Sequence, residues 1–242
     1  MLISAFEYNN VFKDYYIVDC AVRDRNIFGF ALDSFYTDAE VEEEEVHGWD
    51  RFLRPKRIAA FFRHYPYGDR MTGENLGNWG QLVMGACNVP KGQILLIEME
   101  NDRIYVFGSG FNGEETPVDR DHPDLKGFGA VMKIKTFEGE AFMCGSSRSL
   151  TKRIDQGRYD SRFLQLKPPE EPDYLKEGFR DFDMFSEQDI YAAGGRGDFW
   201  HFNGNAWRQI HLPTNTWLQT VCCGGDGMVY VSGYEGLLFM GR

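Results

Sequence analysis

A strand–turn–strand phrase that recurs along the chain constrains its fold more than any other feature. The clearest copy is Asp189-Ile190-Tyr191-Ala192-Ala193-Gly194-Gly195-Arg196-Gly197-Asp198-Phe199-Trp200-His201-Phe202. A short apolar run ends on glycines and an aromatic-rich run returns, which is a β-hairpin signal. Related phrases occupy residues 227–239, 140–150 and 103–110. Aligning them sets Gly108, Gly145, Gly194 and Gly233 at intervals of 37, 49 and 39 residues, and the longest interval holds an insertion at 167–173.

A period near 40 residues with three or four strands per copy is the unit of a β-propeller blade. Residues 94–98 pair with 104–107, 131–134 with 141–144, 182–185 with 190–193, and 218–222 with 229–231. A third strand follows each glycine, and a fourth, outer strand is read at 162–166 and at 206–210. Residues 16–22 and 27–32, around the polar turn Arg23-Asp24-Arg25-Asn26, form a degenerate first copy, and 58–62 and 81–86 read as further strands. The expectation is an all-β, propeller-like fold of about five antiparallel blades in a single domain spanning 1–242, irregular over 1–80 and regular over 81–242. Ala192, Ala193, Gly194 and Gly195 read as inner-strand residues crowded toward a channel. Asp181 and Asp183, alternating with Phe182 and Met184, read as the wet face of a strand.

The net charge of −11 over 242 residues repels phosphate backbones and anionic membrane surfaces, and favours a basic partner. Five cysteines, an odd number with no CxxC pair, point to a reducing setting, with several acting as small apolar residues inside strands. The first residues carry no basic, then apolar, leader pattern, and no apolar run reaches 18 residues, so a cytoplasmic location is expected. No P-loop, dinucleotide-binding glycine pattern, HExxH, GxSxG or EF-hand loop is present, and His47, His64, His122, His201 and His211 lack metal-ligand spacing. Neither a cofactor nor a metal is therefore expected. The dense polar cluster around Asp119, Asp121, His122 and Asp124 reads as a loop between blades.

Residues 190–207 resemble blades of bacterial β-propellers, which share the pattern (I/V)YA(V/A)GG, a turn, an aromatic strand and a D/N-G turn before Trp. The resemblance is carried by residues 181–242 and more weakly by 93–165. Small acidic propellers of this kind are similar to immunity proteins of type VI secretion and polymorphic-toxin systems. That resemblance implies a non-enzymatic cytoplasmic protein that neutralises a toxin by direct contact, with a basic effector such as a nuclease as partner. The acidic run Glu42, Glu43, Glu44 and Glu45 with Trp49 is the expected docking face. Arg196, Trp200, Trp207, Trp217 and Tyr234 are the expected anchors at blade turns, because aromatic and arginine side chains carry most interface energy. Two other readings stay open: a carbohydrate-active hydrolase or lyase with carboxylates at the channel, and a generic scaffold propeller.

Overall fold

A computed structural model of the chain describes residues 3–35, 55–99, 101, 103–117, 129–160, 163, 166 and 178–242. The chain divides into two compact units, Met1–Pro117 and Val118–Arg242.

The first unit opens with helix α1 (Ala5–Val11), followed by sheet I and sheet II. Sheet I contains β1 (Tyr15–Asp24), β2 (Ile27–Ser34), β3 (Lys56–Phe62) and β4 (Met71–Leu76), hydrogen-bonded in that order. Sheet II contains β5 (Leu82–Cys87), β6 (Gln93–Glu98), β7 (Ile104–Gly108) and β8 (Phe111–Glu115), again in sequence order. Ile58, Ala60, Trp79, Met84, Ile94 and Leu96 form the core that both sheets share. Helix α1 starts at a capping box: Ser4 Oγ accepts the Glu7 N–H at 3.1 Å, and Glu7 Oε2 accepts the Ser4 N–H at 2.7 Å. Seven residues are too few for a helix to stand alone, so tertiary contacts hold it. Val11 and Phe12 pack on Leu32 and Ala59 of sheet I. The 2 % exposed Glu7 also accepts N–H groups of Gly68 and Arg70 at 3.2 and 3.0 Å and pairs with the Arg70 guanidinium at 3.1 Å.

The second unit contains three sheets. Sheet III has β9 (Val131–Phe137), β10 (Glu140–Gly145), β11 (Ser149–Asp155) and β12 (Arg158–Asp160). Sheet IV has β13 (Asp181–Ser186), β14 (Asp189–Gly194), β15 (Asp198–Phe202) and β16 (Trp207–Gln209). Sheet V has β17 (Leu218–Cys223), β18 (Val229–Gly233) and β19 (Leu238–Gly241), three strands among the described residues. Alternate residues of β14 serve two cores: Ala192 packs with Phe142, Phe179 and Phe182, whereas Ala193 packs with Leu218, Val221 and Val231. A strand with a sheet on each face needs apolar residues at every position, which explains the Ile-Tyr-Ala-Ala run.

All-β architecture and antiparallel hairpins stand as expected, and the five sheets among the described residues match the expected number of about five blades. Several local readings change. The outer strand of sheet III is Arg158–Asp160, whereas 162–166 and the insertion at 167–173 lie largely or wholly outside the described residues. The first copy, although it lacks the repeat glycine, builds a complete four-stranded sheet. Gly145, Gly194 and Gly233 end the second strands of their sheets, but Gly108 ends the third strand of sheet II, so its alignment with the others is one strand out of phase.

These glycines admit a close backbone approach, as expected, and the structure shows which backbone comes close. A Cβ at Gly194 would collide with the Gly178 carbonyl. At Gly145 it would lie 2.5 Å from the Ala130 carbonyl, and at Gly233 2.5 Å from that of Trp217. In each case the carbonyl belongs to the lead-in of the neighbouring strand, and Gly108 meets Gly92 in the same way. A shared local hairpin geometry thus produced a shared residue at two different places in the blade.

Asp181 is buried and Asp183 half-buried, and both are turned onto the neighbouring sheet rather than forming a solvated face. Asp181 Oδ2 accepts the Thr220 hydroxyl at 2.6 Å and the Val221 N–H at 3.0 Å, and its other oxygen meets Lys135 Nζ at 2.9 Å. Asp183 Oδ2 accepts the Cys223 N–H at 2.8 Å. Asp19 does the same in the first unit, accepting the Met84 N–H at 2.9 Å. Carboxylates on the first strand of one sheet therefore bond backbone on the first strand of the next, supplying acceptors where two sheets meet without a shared ladder.

Candidate functional site

The hairpin turns that follow β10, β14 and β18 come together at one end of the second unit. The Gly145 carbonyl accepts the Phe179 N–H at 3.2 Å, and the Gly195 carbonyl accepts the Leu218 N–H at 3.1 Å. Arg196 forms an isolated antiparallel bridge with Trp217, whose carbonyl accepts the Tyr234 N–H at 3.0 Å. Gly197 adopts φ +71°, and a side chain there would strike the Thr214 carbonyl, so the turn that presents Arg196 depends on glycine.

Charge at this end is positive. Arg148 Nε reaches both oxygens of Asp198, at 3.1 and 2.9 Å, and its guanidinium lies 5.0 Å from the Trp200 ring centre. Asp198, 3 % exposed, also accepts the Gly178 N–H at 2.9 Å and the Trp200 indole N–H at 2.7 Å. That carboxylate is fully engaged and locks sheet III onto sheet IV. Arg180 stands over the Trp217 ring at 5.8 Å, and Arg196 is exposed. Tyr234 is 53 % exposed in a 3-10 turn, Tyr234–Gly236.

The structure thus gathers Arg196, Trp217 and Tyr234, whereas Trp200 lies under Arg148 and packs on the core between sheets III and IV. Trp207 lies away from the group, paired with Phe202 at the far end of β15. Its indole N–H is given to the Phe163 carbonyl at 3.0 Å, and its ring packs on Phe179 and Phe202, so it wedges the core. Glu42, Glu43, Glu44, Glu45 and Trp49 lie outside the described residues, as does the cluster around Asp119, Asp121, His122 and Asp124. Sequence reading missed Arg148 and Arg180. Arg148 stands in the repeated turn and could have been found there; Arg180 has no repeat partner to mark it.

Other polar groups are tied into the fold. Glu140 and Glu187 converge, but on Lys152 Nζ, at 2.9 and 2.7 Å. Burial opposes the charge on Lys152, and its hydrogen bonds to the two carboxylates outweigh that, raising its pKa. His201 Nε2 lies 2.7 Å from Asp189 Oδ1, and its ring stacks on Tyr191 at 4.3 Å. The Cys223 thiol is pushed up to about 12 by burial and by the nearby Asp183 and Asp189 carboxylates, the reverse of what an activated nucleophile requires. No group of three His, Cys, Asp or Glu residues able to hold a metal occurs among the described residues, and no helix among them is long and apolar enough to cross a membrane.

No protein-family model matches the chain. It is 31% identical over 140 residues to the protein named "Immune protein Tsi7" from Pseudomonas aeruginosa, a match covering 58% of this chain and 45% of that protein. The chain thus spans less than half the length of this curated relative. Among solved structures it is similar to the extracellular domain of the one-component system BT4673 from B. thetaiotaomicron, with TM-score 0.59, 13% identity, and coverage of 99% of this chain and 27% of that one. YCF48 matches with TM-score 0.57 and 14% identity, covering 95% of this chain and 64% of that one. The WD40 β-propeller domain of Doa1 matches with TM-score 0.55 and 13% identity, covering 94% and 65%. The chain is a β-propeller protein by fold, and over 140 residues it is similar in sequence to an immune protein.

Proposed function

We propose that this protein is an immunity protein: it binds a cognate effector of a type VI or related secretion system in the cytoplasm and neutralises it by covering its surface, without chemistry of its own. The observation that carries this reading is the 31% identity over 140 residues with the immune protein of Pseudomonas aeruginosa. The exposed arginine and aromatic residues at the turns of sheets III to V support it, being the residue types that anchor protein interfaces. The net charge of −11 suits an effector that is basic over much of its surface, as a nuclease is, because complementary fields speed encounter.

A pull-down with the tagged protein from lysate of its source organism, washed at low and then high salt, tests the proposal. The expected result is one stoichiometric protein that arrests growth when expressed alone and is harmless when co-expressed with this chain. Recovery of no partner, or only of further copies of this chain, refutes it. Reversing Glu42, Glu43, Glu44 and Glu45 to lysine should slow association with that partner and flatten its salt dependence. An unchanged association rate removes this stretch from the interface.

A further inference from the structure

Positive charge at the turn end of the second unit is out of keeping with a chain whose net charge is −11. Arg148 is neutralised there by Asp198. Arg180 and Arg196 meet no carboxylate among the described residues, and both are held at Trp217, one over its ring and the other by backbone pairing. Among the described residues, Arg180 Nε and Gln219 Nε2 are buried donors without an acceptor. Arg180 immediately precedes Asp181, and Gln219 immediately precedes Thr220, the two residues bonded across the β13–β17 seam. The two orphaned donors therefore flank one seam. Buried donors left unmatched cost stability, and the guanidinium of Arg180 is held over the Trp217 ring with no carboxylate among the described residues to offset its charge.

The geometry points to a docking surface for a carboxylate-bearing segment of a protein partner, received by Arg180 and Arg196 at Trp217, with Tyr234 alongside. Guanidinium groups bind carboxylates with paired, charge-assisted hydrogen bonds, and the two aromatic rings offer rigid contact area for the apolar part of the same segment. The inference rests on the reading of this protein as one that binds a protein partner, and it assigns that partner an acidic contact at this end even where the rest of its surface is basic.

Hexaglutamate, hexalysine and inorganic phosphate serve as probes, titrated into the whole chain while tryptophan fluorescence and backbone amide NMR shifts are followed. Hexaglutamate should bind with shifts centred on Trp217 and Tyr234, and hexalysine should leave those signals unmoved. Arg180→Gln combined with Arg196→Gln should weaken hexaglutamate at least tenfold. Because Arg180 is partly buried, Arg196→Gln alone, at an exposed turn position, is the companion variant and should weaken it severalfold with an unchanged urea midpoint. Absence of hexaglutamate binding, binding unaffected by Arg196→Gln, or phosphate binding as tightly as the peptide each overturns the proposal. Its failure is separable from failure of the immunity reading. Neutralisation of the effector by wild type and the Arg196→Gln variant alike, without peptide binding, sinks this surface alone. Peptide binding without any neutralised effector sinks only the immunity function.

Discussion

Removing the Asp181 carboxylate tests whether side chains, rather than apolar packing alone, hold neighbouring sheets in register. The group is 5 % exposed and accepts four hydrogen bonds: from Thr220 Oγ1 at 2.6 Å, Val221 N–H at 3.0 Å, Lys135 Nζ at 2.9 Å and its own neighbour Phe182 N–H at 2.9 Å. In Asp181→Ala the buried Val221 N–H loses its acceptor, at about 1–3 kcal/mol for an unmatched buried group, while the hydroxyl of the exposed Thr220 turns to water and loses only the net value of one hydrogen bond, about 0.5–1.5 kcal/mol. Lys135, 28% exposed at its side chain, turns toward water and adds little. The expected loss is about 2–4 kcal/mol from the two lost hydrogen bonds, a large share of a domain's roughly 5–15 kcal/mol. Asp183→Ala removes one bond between sheets, to Cys223, and should cost only about 1 kcal/mol. Urea unfolding followed by tryptophan fluorescence reads the effect, since Trp200, Trp207 and Trp217 all lie in the second unit. With a slope of about 2 kcal/mol/M, the midpoint of the Asp181→Ala transition should fall by roughly 1–2 M. Equal, small shifts in both variants would show that packing alone keeps the two sheets together.

Three further outcomes are expected. The Glu7 carboxyl is held well below its ordinary value, chiefly by the Arg70 hydrogen bonds, which outweigh its burial. Its stabilising contribution is therefore complete above about pH 4.5, the unfolded value, and declines as pH falls below it; urea midpoints against pH should drop in that window for wild type, whereas Glu7→Gln should be weaker at pH 7 and lack that part of the decline. Gly194→Ala should destabilise the second unit by about 1–3 kcal/mol, because the new methyl group meets the Gly178 carbonyl, and a melting temperature equal to wild type would refute the close-approach argument. In the native protein near pH 8, a thiol reagent should modify the exposed Cys20 and Cys222 quickly, and Cys87, Cys144 and Cys223 slowly; burial pushes the Cys144 thiol up and holds Cys223 near 12, and rapid modification of all five would contradict this packing.

Local chemistry determined most of the hairpin strands of this protein, though not the outer strand Arg158–Asp160 or the strand Met71–Leu76. Alternating apolar residues, glycine turns and a period near 40 residues specify hairpins and three- or four-stranded sheets, because those signals act between residues close in sequence. The Ser4–Glu7 capping box was equally local and could have been read as a helix start. Tertiary structure decided everything that depends on which sheet meets which. Gly108 and Gly145 look equivalent because each ends a hairpin strand against a carbonyl, and only strand order separates a third strand from a second. Asp181 and Asp183 alternate as a solvated face would, yet their acceptors are turned on β17, some 40 residues ahead. Trp207 and Trp217 are alike as letters, but one closes a core through Phe163 and the other lies beneath Arg180 beside Tyr234. A propeller writes its blades in short-range patterns. Its seams and turn surfaces arise where blades pack, and there a residue's partner is set by the neighbouring sheet rather than by its own strand.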